Sequence, residues 1–153
     1  MKYKIFFLFV LFFTLSCSKD DNEIVDNPID NPSFNVNLLL NRWKFNQINI
    51  NGQQFQYQNQ PNCQIDEFTF TNQEGQIRQY QEIIFINDIC STNSVSLDWR
   101  IKNDIISLYF GTQKIIDYKV IFLSANSLIY SFSVDINNDS ILDEIIIFAS
   151  PYI

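Results

Sequence analysis

The sequence predicts an all-β fold, an antiparallel up-and-down meander of eight or nine strands closing into a barrel, and three observations predict it. Past residue 36 come short runs rich in Ile, Phe, Tyr and Val, separated by turn residues at intervals of about 8–12 positions, the spacing of a sandwich or barrel. Several runs alternate with period two: Val95, Leu97, Trp99 and Ile101 share one strand face and Ser96, Asp98 and Arg100 the other, while Phe68 and Phe70 oppose Glu67 and Thr69. The connections are short and non-helical, which suits antiparallel neighbours and not parallel ones. Closing such a meander removes its exposed edges.

Composition narrows the function classes. The 153 residues suit one domain, and 46% hydrophobic against 18% charged residues is enough apolar material for a core. Ten basic residues against 17 acidic ones, a net charge of −7, speak against a nucleic-acid partner, because phosphate binding needs clustered Lys and Arg. The chain has no histidine, so it can build no Ser-His-Asp triad, Cys-His pair or His-ligated zinc site. With three glycines it has neither a GxSxG elbow nor a phosphate-binding glycine loop. Asp66-Glu67 and Asp143-Glu144 are adjacent carboxylates, and neighbours in a strand point to opposite faces. No catalytic residue is assigned and an enzyme is not expected.

The first element is an address. Lys2 and Lys4 precede the apolar run Ile5–Leu15, which is too short to cross a hydrocarbon core of about 30 Å and reads as the h-region of a signal peptide, residues 1–16. The run ends in Thr14-Leu15-Ser16-Cys17, which resembles the lipobox of bacterial lipoproteins. That resemblance implies lipidation of Cys17 and cleavage before it. The tract Ser18-Lys19-Asp20-Asp21-Asn22-Glu23 is similar to the acidic export tract of Bacteroidetes lipoproteins, which implies an outer-membrane anchor exposed at the cell surface. Residues 17–35 then form an acidic linker in which Asp-Asn-Pro recurs at 26–28 and 30–32; the prolines and scarce apolar groups keep it from packing. Cleavage removes two lysines from an already acidic chain, so no polybasic surface assists the anchor and membrane attachment rests on the lipid at Cys17.

The domain spans residues 36–153. Val36–Leu40 offers about one helical turn. Strands are expected near 42–50, 54–58, 64–71, 80–87, 95–101, 104–110, 114–123, 127–134 and 142–149. Between them lie turn formers such as Asn51-Gly52, Asn72–Gly75, Ser91–Ser94, Lys102–Asp104, Gly111-Thr112 and Ala125–Ser127. Runs such as Ile145–Phe148 are apolar on both faces and belong to central strands or to the lining of an apolar cavity. The Gln- and Asn-rich stretch 53–60, with Phe55 and Tyr57 interleaved, reads as a solvated hairpin rather than a ligand-contacting edge.

Leu39-Leu40-Asn41-Arg42-Trp43-Lys44-Phe45, a segment around Cys63 and Cys90, and Trp99–Asn103 together resemble the lipocalin-like lipoproteins of Bacteroidetes over about 115 residues. In that family Trp43 would be a core aromatic, and the usual glycine is Asn41, a residue tolerant of a left-handed backbone. The expected barrel interior is Trp43, Phe45, Phe68, Phe70, Val95, Leu97, Trp99 and Ile101.

With Cys17 lipidated, Cys63 and Cys90 remain as an even pair in an oxidising compartment, and a disulfide is expected. A hairpin of 64–71 with 80–87, centred between the two cysteines, would set them opposite each other. Asp135–Glu144 follows the D-x-N-x-D-x-x-x-D spacing of calcium loops, with Asp135, Asn137, Asp139, Asp143 and the Ile141 carbonyl as ligands. It resembles the hairpin calcium loops of FG-GAP repeats rather than an EF-hand, whose twelfth position is Ile146 here. A plain acidic turn that binds nothing is the competing reading.

Two function classes follow. One is an anchored lipocalin-like protein holding a small apolar ligand in its barrel, motivated by 15 Phe and many Ile residues. The other is a filled barrel acting through its surface as an adhesin, an inhibitor or an accessory subunit of an envelope complex.

Overall fold

A computed structural model describes residues 32–72, 78–86 and 89–152. The leader, Cys17, the linker up to residue 31 and the expected hairpin centre at 73–77 lie outside the described residues. The domain is all-β apart from one 3₁₀ turn, Val36–Leu38, capped by the Asn35 side chain accepting the Asn37 N–H at 3.0 Å. Nine strands follow: β1 (Arg42–Ile50), β2 (Gln53–Gln56), β3 (Glu67–Thr71), β4 (Gln79–Ile86), β5 (Ser91–Lys102), β6 (Ile105–Phe110), β7 (Gln113–Ser124), β8 (Ser127–Val134) and β9 (Asp143–Pro151).

From β3 to β9 each strand pairs antiparallel with the next, and β9 returns to β1 from Trp43↔Pro151 to Ile50↔Ile145. β1 and β3–β9 thus close an eight-stranded barrel. β2 is the extra strand. The other edge of β1 is shared, with β3 against Arg42–Lys44 and β2 against Gln47–Ile50. The barrel position between β1 and β4 is therefore filled by an interrupted strand, broken over residues 57–66. All four β2 residues are exposed, since this Gln-rich run has little apolar surface to bury.

Local chemistry sets the turns. Asn51 and Gly52 both take positive φ, 49° and 84°, the type I′ requirement that lets two residues join β1 to β2 with the right twist. Asn103, at φ 54°, does similar work between β5 and β6. Asn41 does not: its φ is not positive, and it turns the chain through its N–H to the Leu39 carbonyl at 2.7 Å, while its side-chain oxygen accepts the Arg42 N–H at 2.8 Å. A left-handed residue at the family's glycine position is therefore unnecessary here. The amide side chain closes the bend instead.

The core is a stack of aromatic rings threaded along the barrel axis. Phe68 sits among Phe45, Phe70, Tyr80 and Tyr130 at centroid distances of 4.9–6.1 Å, and Tyr118 lies 4.7 Å from Tyr130. Both buried indoles are satisfied. Trp43 Nε1–H donates to the Leu39 carbonyl at 3.1 Å and Trp99 Nε1–H to the Thr71 carbonyl at 3.0 Å.

Candidate functional site

The two ends of the barrel differ. At the end holding the β5–β6 and β7–β8 turns, inward-facing Trp43, Trp99, Ile101, Ile106 and Leu128 are 0–1% exposed. Leu39, carried in by the 3₁₀ turn and fully buried, plugs that end. At the opposite end, side chains of the same inward register keep part of their surface: Ile48 on β1, Ile84 on β4, Ile116 on β7, Phe132 and Val134 on β8, and Val95 on β5 at 42%. That end is a partly exposed apolar cup above Tyr80, Tyr118, Tyr130 and Phe68, and a separate pocket lined by Ser33, Phe34, Val120 and Leu123 lies by the sealed end.

The sequence-predicted interior residues divide along this axis. Trp43, Phe45, Phe68, Phe70, Trp99 and Ile101 are buried, Leu97 packs partly buried against them, and Val95 lies at the mouth.

Among the described residues three carboxylates face inward in the open half. Asp66 is buried and fully engaged: its Oδ2 accepts the Tyr57 hydroxyl at 2.7 Å and its Oδ1 the Phe85 N–H at 2.6 Å. Asp143 is likewise buried and accepts the Asn51 side-chain amide at 2.6 Å and the Ile136 N–H at 3.1 Å, which ties the β8–β9 loop to the β1–β2 turn. Glu82 stands on β4 with Phe68 and Val95 as its cross-strand neighbours, and its Oε2 accepts the Tyr80 hydroxyl. Burial pushes the Glu82 carboxyl above the ordinary 4.5, the Tyr80 hydrogen bond lowers it in part, and the nearby Asp66 charge raises it again. Burial, first of all, also raises the Tyr57, Tyr80, Tyr118 and Tyr130 phenols, so they stay neutral donors at any physiological pH.

Among the described residues no Lys or Arg side chain faces the cup. Arg42, Lys44, Arg100, Lys102 and Lys119 occupy outward positions of their strands. Lys114 pairs with outward Asp117 at 2.8 Å, and Arg78 lies over the Trp99 ring at the sealed end. The adjacent pair Asp66-Glu67 splits as expected, Asp66 inward and Glu67 outward to an ion pair with Arg42.

Sequence reading missed Glu82 and Tyr57 as site residues. The signal for Glu82 was available: Tyr80-x-Glu82-x-Ile84 puts a carboxylate in register with two apolar neighbours. The sequence groups Tyr57 with the solvated Gln-rich hairpin. Instead it is half-buried and stacks on Phe45 at 4.9 Å, because the strand breaks after Gln56 and the chain bends inward there.

The rim is held by the Cys63–Cys90 disulfide, Cα–Cα 5.3 Å, which ties the 57–66 loop to the start of β5. The expected cross-strand geometry is corrected. In the β3–β4 ladder Glu67 faces Ile83 and Thr71 faces Gln79, a register that would set position 63 against 87 rather than 90. The bridge joins loop to turn, helped by a positive φ of 55° at Cys90.

In the 135–142 loop, Asp135 accepts the Asp139 and Ser140 N–H groups at 3.1 and 2.8 Å, Asn137 the Asp139 N–H at 3.0 Å, and Asp139 the Ile141 N–H at 2.8 Å. Among the described residues no group of three or more His, Cys, Asp or Glu is arranged to hold a metal ion.

An antiparallel barrel of eight strands, sealed at one end by a short N-terminal turn and open at the other over an apolar cup, defines a lipocalin-like protein. The chain belongs to the lipocalin-like domain family, which residues 39–130 match, more than half of its length. Among solved structures, the major allergen Per a 4 from cockroaches is similar with a TM-score of 0.56 at 10% identity, over 78% of this chain and 69% of that one. A lipocalin-like protein from Bacteroides uniformis is similar with a TM-score of 0.51 at 14% identity, over 75% of this chain and 99% of that one. At such identities the likeness is one of fold. No curated protein matches the sequence.

Proposed function

We propose that the chain is a lipid-anchored binding protein of the outer membrane, exposed at the cell surface, that holds one small apolar ligand in the open end of its barrel. One observation carries the reading: inward apolar side chains are sealed at one end and accessible at the other. Barrels of about eight strands leave room for one small ligand when their own side chains do not fill them. The lipobox-like Cys17 and the acidic tract support the anchor, and the family fold supports binding rather than catalysis. Native mass spectrometry of residues 18–153 purified from a periplasm tests it. A discrete extra mass lost on denaturation is expected; a clean unliganded mass, 2 Da lighter than the reduced chain because of the disulfide, would count against it.

The alternative, a partner-binding surface, is favoured by the apolar rim, where Ile89, Phe110, Ile141 and Leu142 are 66–81% exposed. Substituting Phe110 and Leu142 by Ser would abolish partner capture under that reading and leave ligand mass unchanged.

The 135–144 loop is proposed as a weak structural calcium site, supported by its ligand spacing. Its own N–H bonds shape the loop, so the chain folds without calcium. For a dissociation constant of about 1 mM, 10 mM calcium adds about 1.4 kcal/mol of stability. An Asp135→Asn, Asp139→Asn chain should lose that increment; equal melting with and without calcium in the parent chain would end the proposal.

A further inference from the structure

We propose that the cup selects an apolar molecule carrying a protonated amine, with Glu82 as the counter-charge, and rejects apolar carboxylates; this rests on reading the open end as the ligand site. Of the three inward carboxylates, Asp66 and Asp143 have both oxygens occupied, by Tyr57 and Phe85 and by Asn51 and Ile136. Glu82 has one. Tyr80 occupies Oε2, and Oε1 has no hydrogen-bond partner among the described residues. This largely buried carboxylate is set in an apolar wall beside Phe68 and Val95, one inward position nearer the mouth than Tyr80. A buried acceptor left half-satisfied is costly, and a charge-assisted N–H donor is the strongest partner it can take.

The surroundings discriminate by charge. None of the seven Lys and Arg among the described residues faces the cup, so a ligand carboxylate would lie near Glu82, Asp66 and Asp143 with no cation to offset it. A cation meets the opposite condition, a carboxylate oxygen with no hydrogen-bond partner among the described residues. The tail would lie along Ile48, Ile84, Ile116 and Phe132.

The test is a set of equal-length probes, decylammonium, decanol and decanoate, each competed against a neutral hydrophobic fluorophore on residues 18–153 at pH 7.5 below their micelle concentrations. Decylammonium should bind about tenfold or more tighter than decanoate, with decanol between, a step of one decade for each 1.4 kcal/mol. In Glu82→Gln the amine and alcohol affinities should converge, and in Glu82→Asp part of the preference should return. Equal binding of all three probes, or tighter decanoate, overturns the charge selection and leaves the carrier reading standing. Binding of none of the probes, or of the fluorophore, removes both.

Discussion

At the scale of single residues, Glu82 is where fold stability and binding oppose each other. Its carboxyl is raised above 4.5 chiefly by burial, so the folded state holds this proton more tightly than the unfolded chain does. The sign follows from linkage. The cost is absent below pH 4.5, grows as pH rises towards the folded value, and is fully present above it. Asp117 works in a different window. Burial raises it, but the Lys114 and Ser107 hydrogen bonds outweigh that and hold it below 3.8, so its contribution is lost only in stronger acid. Glu82→Gln should therefore melt higher than the parent at neutral pH, with the gap closing towards pH 4.5; parallel melting curves across pH 4–8 would contradict this. Phe68 is the opposite kind of residue. It touches four rings and has no accessible surface, so Phe68→Ala should cost about 3–5 kcal/mol in urea unfolding.

At the scale of elements, the interrupted strand β2/β3 makes the site. Had it run unbroken, Tyr57 and Asp66 would be ladder residues; the break lets the 57–66 loop fold over the rim and place their hydrogen bond inside. The disulfide holds that loop. Closing a loop over a sequence separation of 27 stabilises the domain by about 3 kcal/mol in the chain-entropy model. A Cys63→Ser, Cys90→Ser chain should lose about that much in chemical denaturation and bind the fluorophore more weakly through its loosened mouth. Loss of stability with binding unchanged would mean the loop does not shape the cup. The strands themselves were largely legible: the expected 42–50 and 127–134 coincide with β1 and β8, and most other bounds shift by one to four residues. The largest difference is at the start of β5, where Ser91–Ser94, expected as a turn, pairs with β4 as strand because the ladder continues through polar residues that carry no apolar period.

For the whole molecule, the direction of the cup follows from the connectivity. Up-and-down topology puts the β1–β2, β4–β5, β6–β7 and β8–β9 connections at the mouth. The N-terminal approach lies at the sealed end, where the Ser33 N–H bonds Asp104 in the β5–β6 turn at 2.7 Å and Leu39 plugs the barrel. A tether running from a lipidated Cys17 would thus hold the sealed end towards the membrane and turn the mouth away from it. An epitope inserted between Gly111 and Thr112, in the β6–β7 turn, should be reached by antibody on intact cells. Detection only after permeabilisation would place the domain on the inner side of the outer membrane.

The sequence by itself determined what depends on local chemistry and on parity: the β class, the order of the strands, the exclusion of histidine chemistry, and the presence of two cysteines to pair. Period-two alternation is visible along one strand, so half of the wall was readable before any folding. What only the tertiary structure decided is which end of the barrel is sealed, that Cys63 and Cys90 meet as loop and turn rather than across a ladder, and that, among the described residues, Glu82 alone of the inward carboxylates keeps an oxygen without a hydrogen-bond partner. Those features are set by strand register and by contacts between residues as distant as Asn51 and Asp143. Register is fixed by the closure of the barrel as a whole, and no short window of sequence contains it.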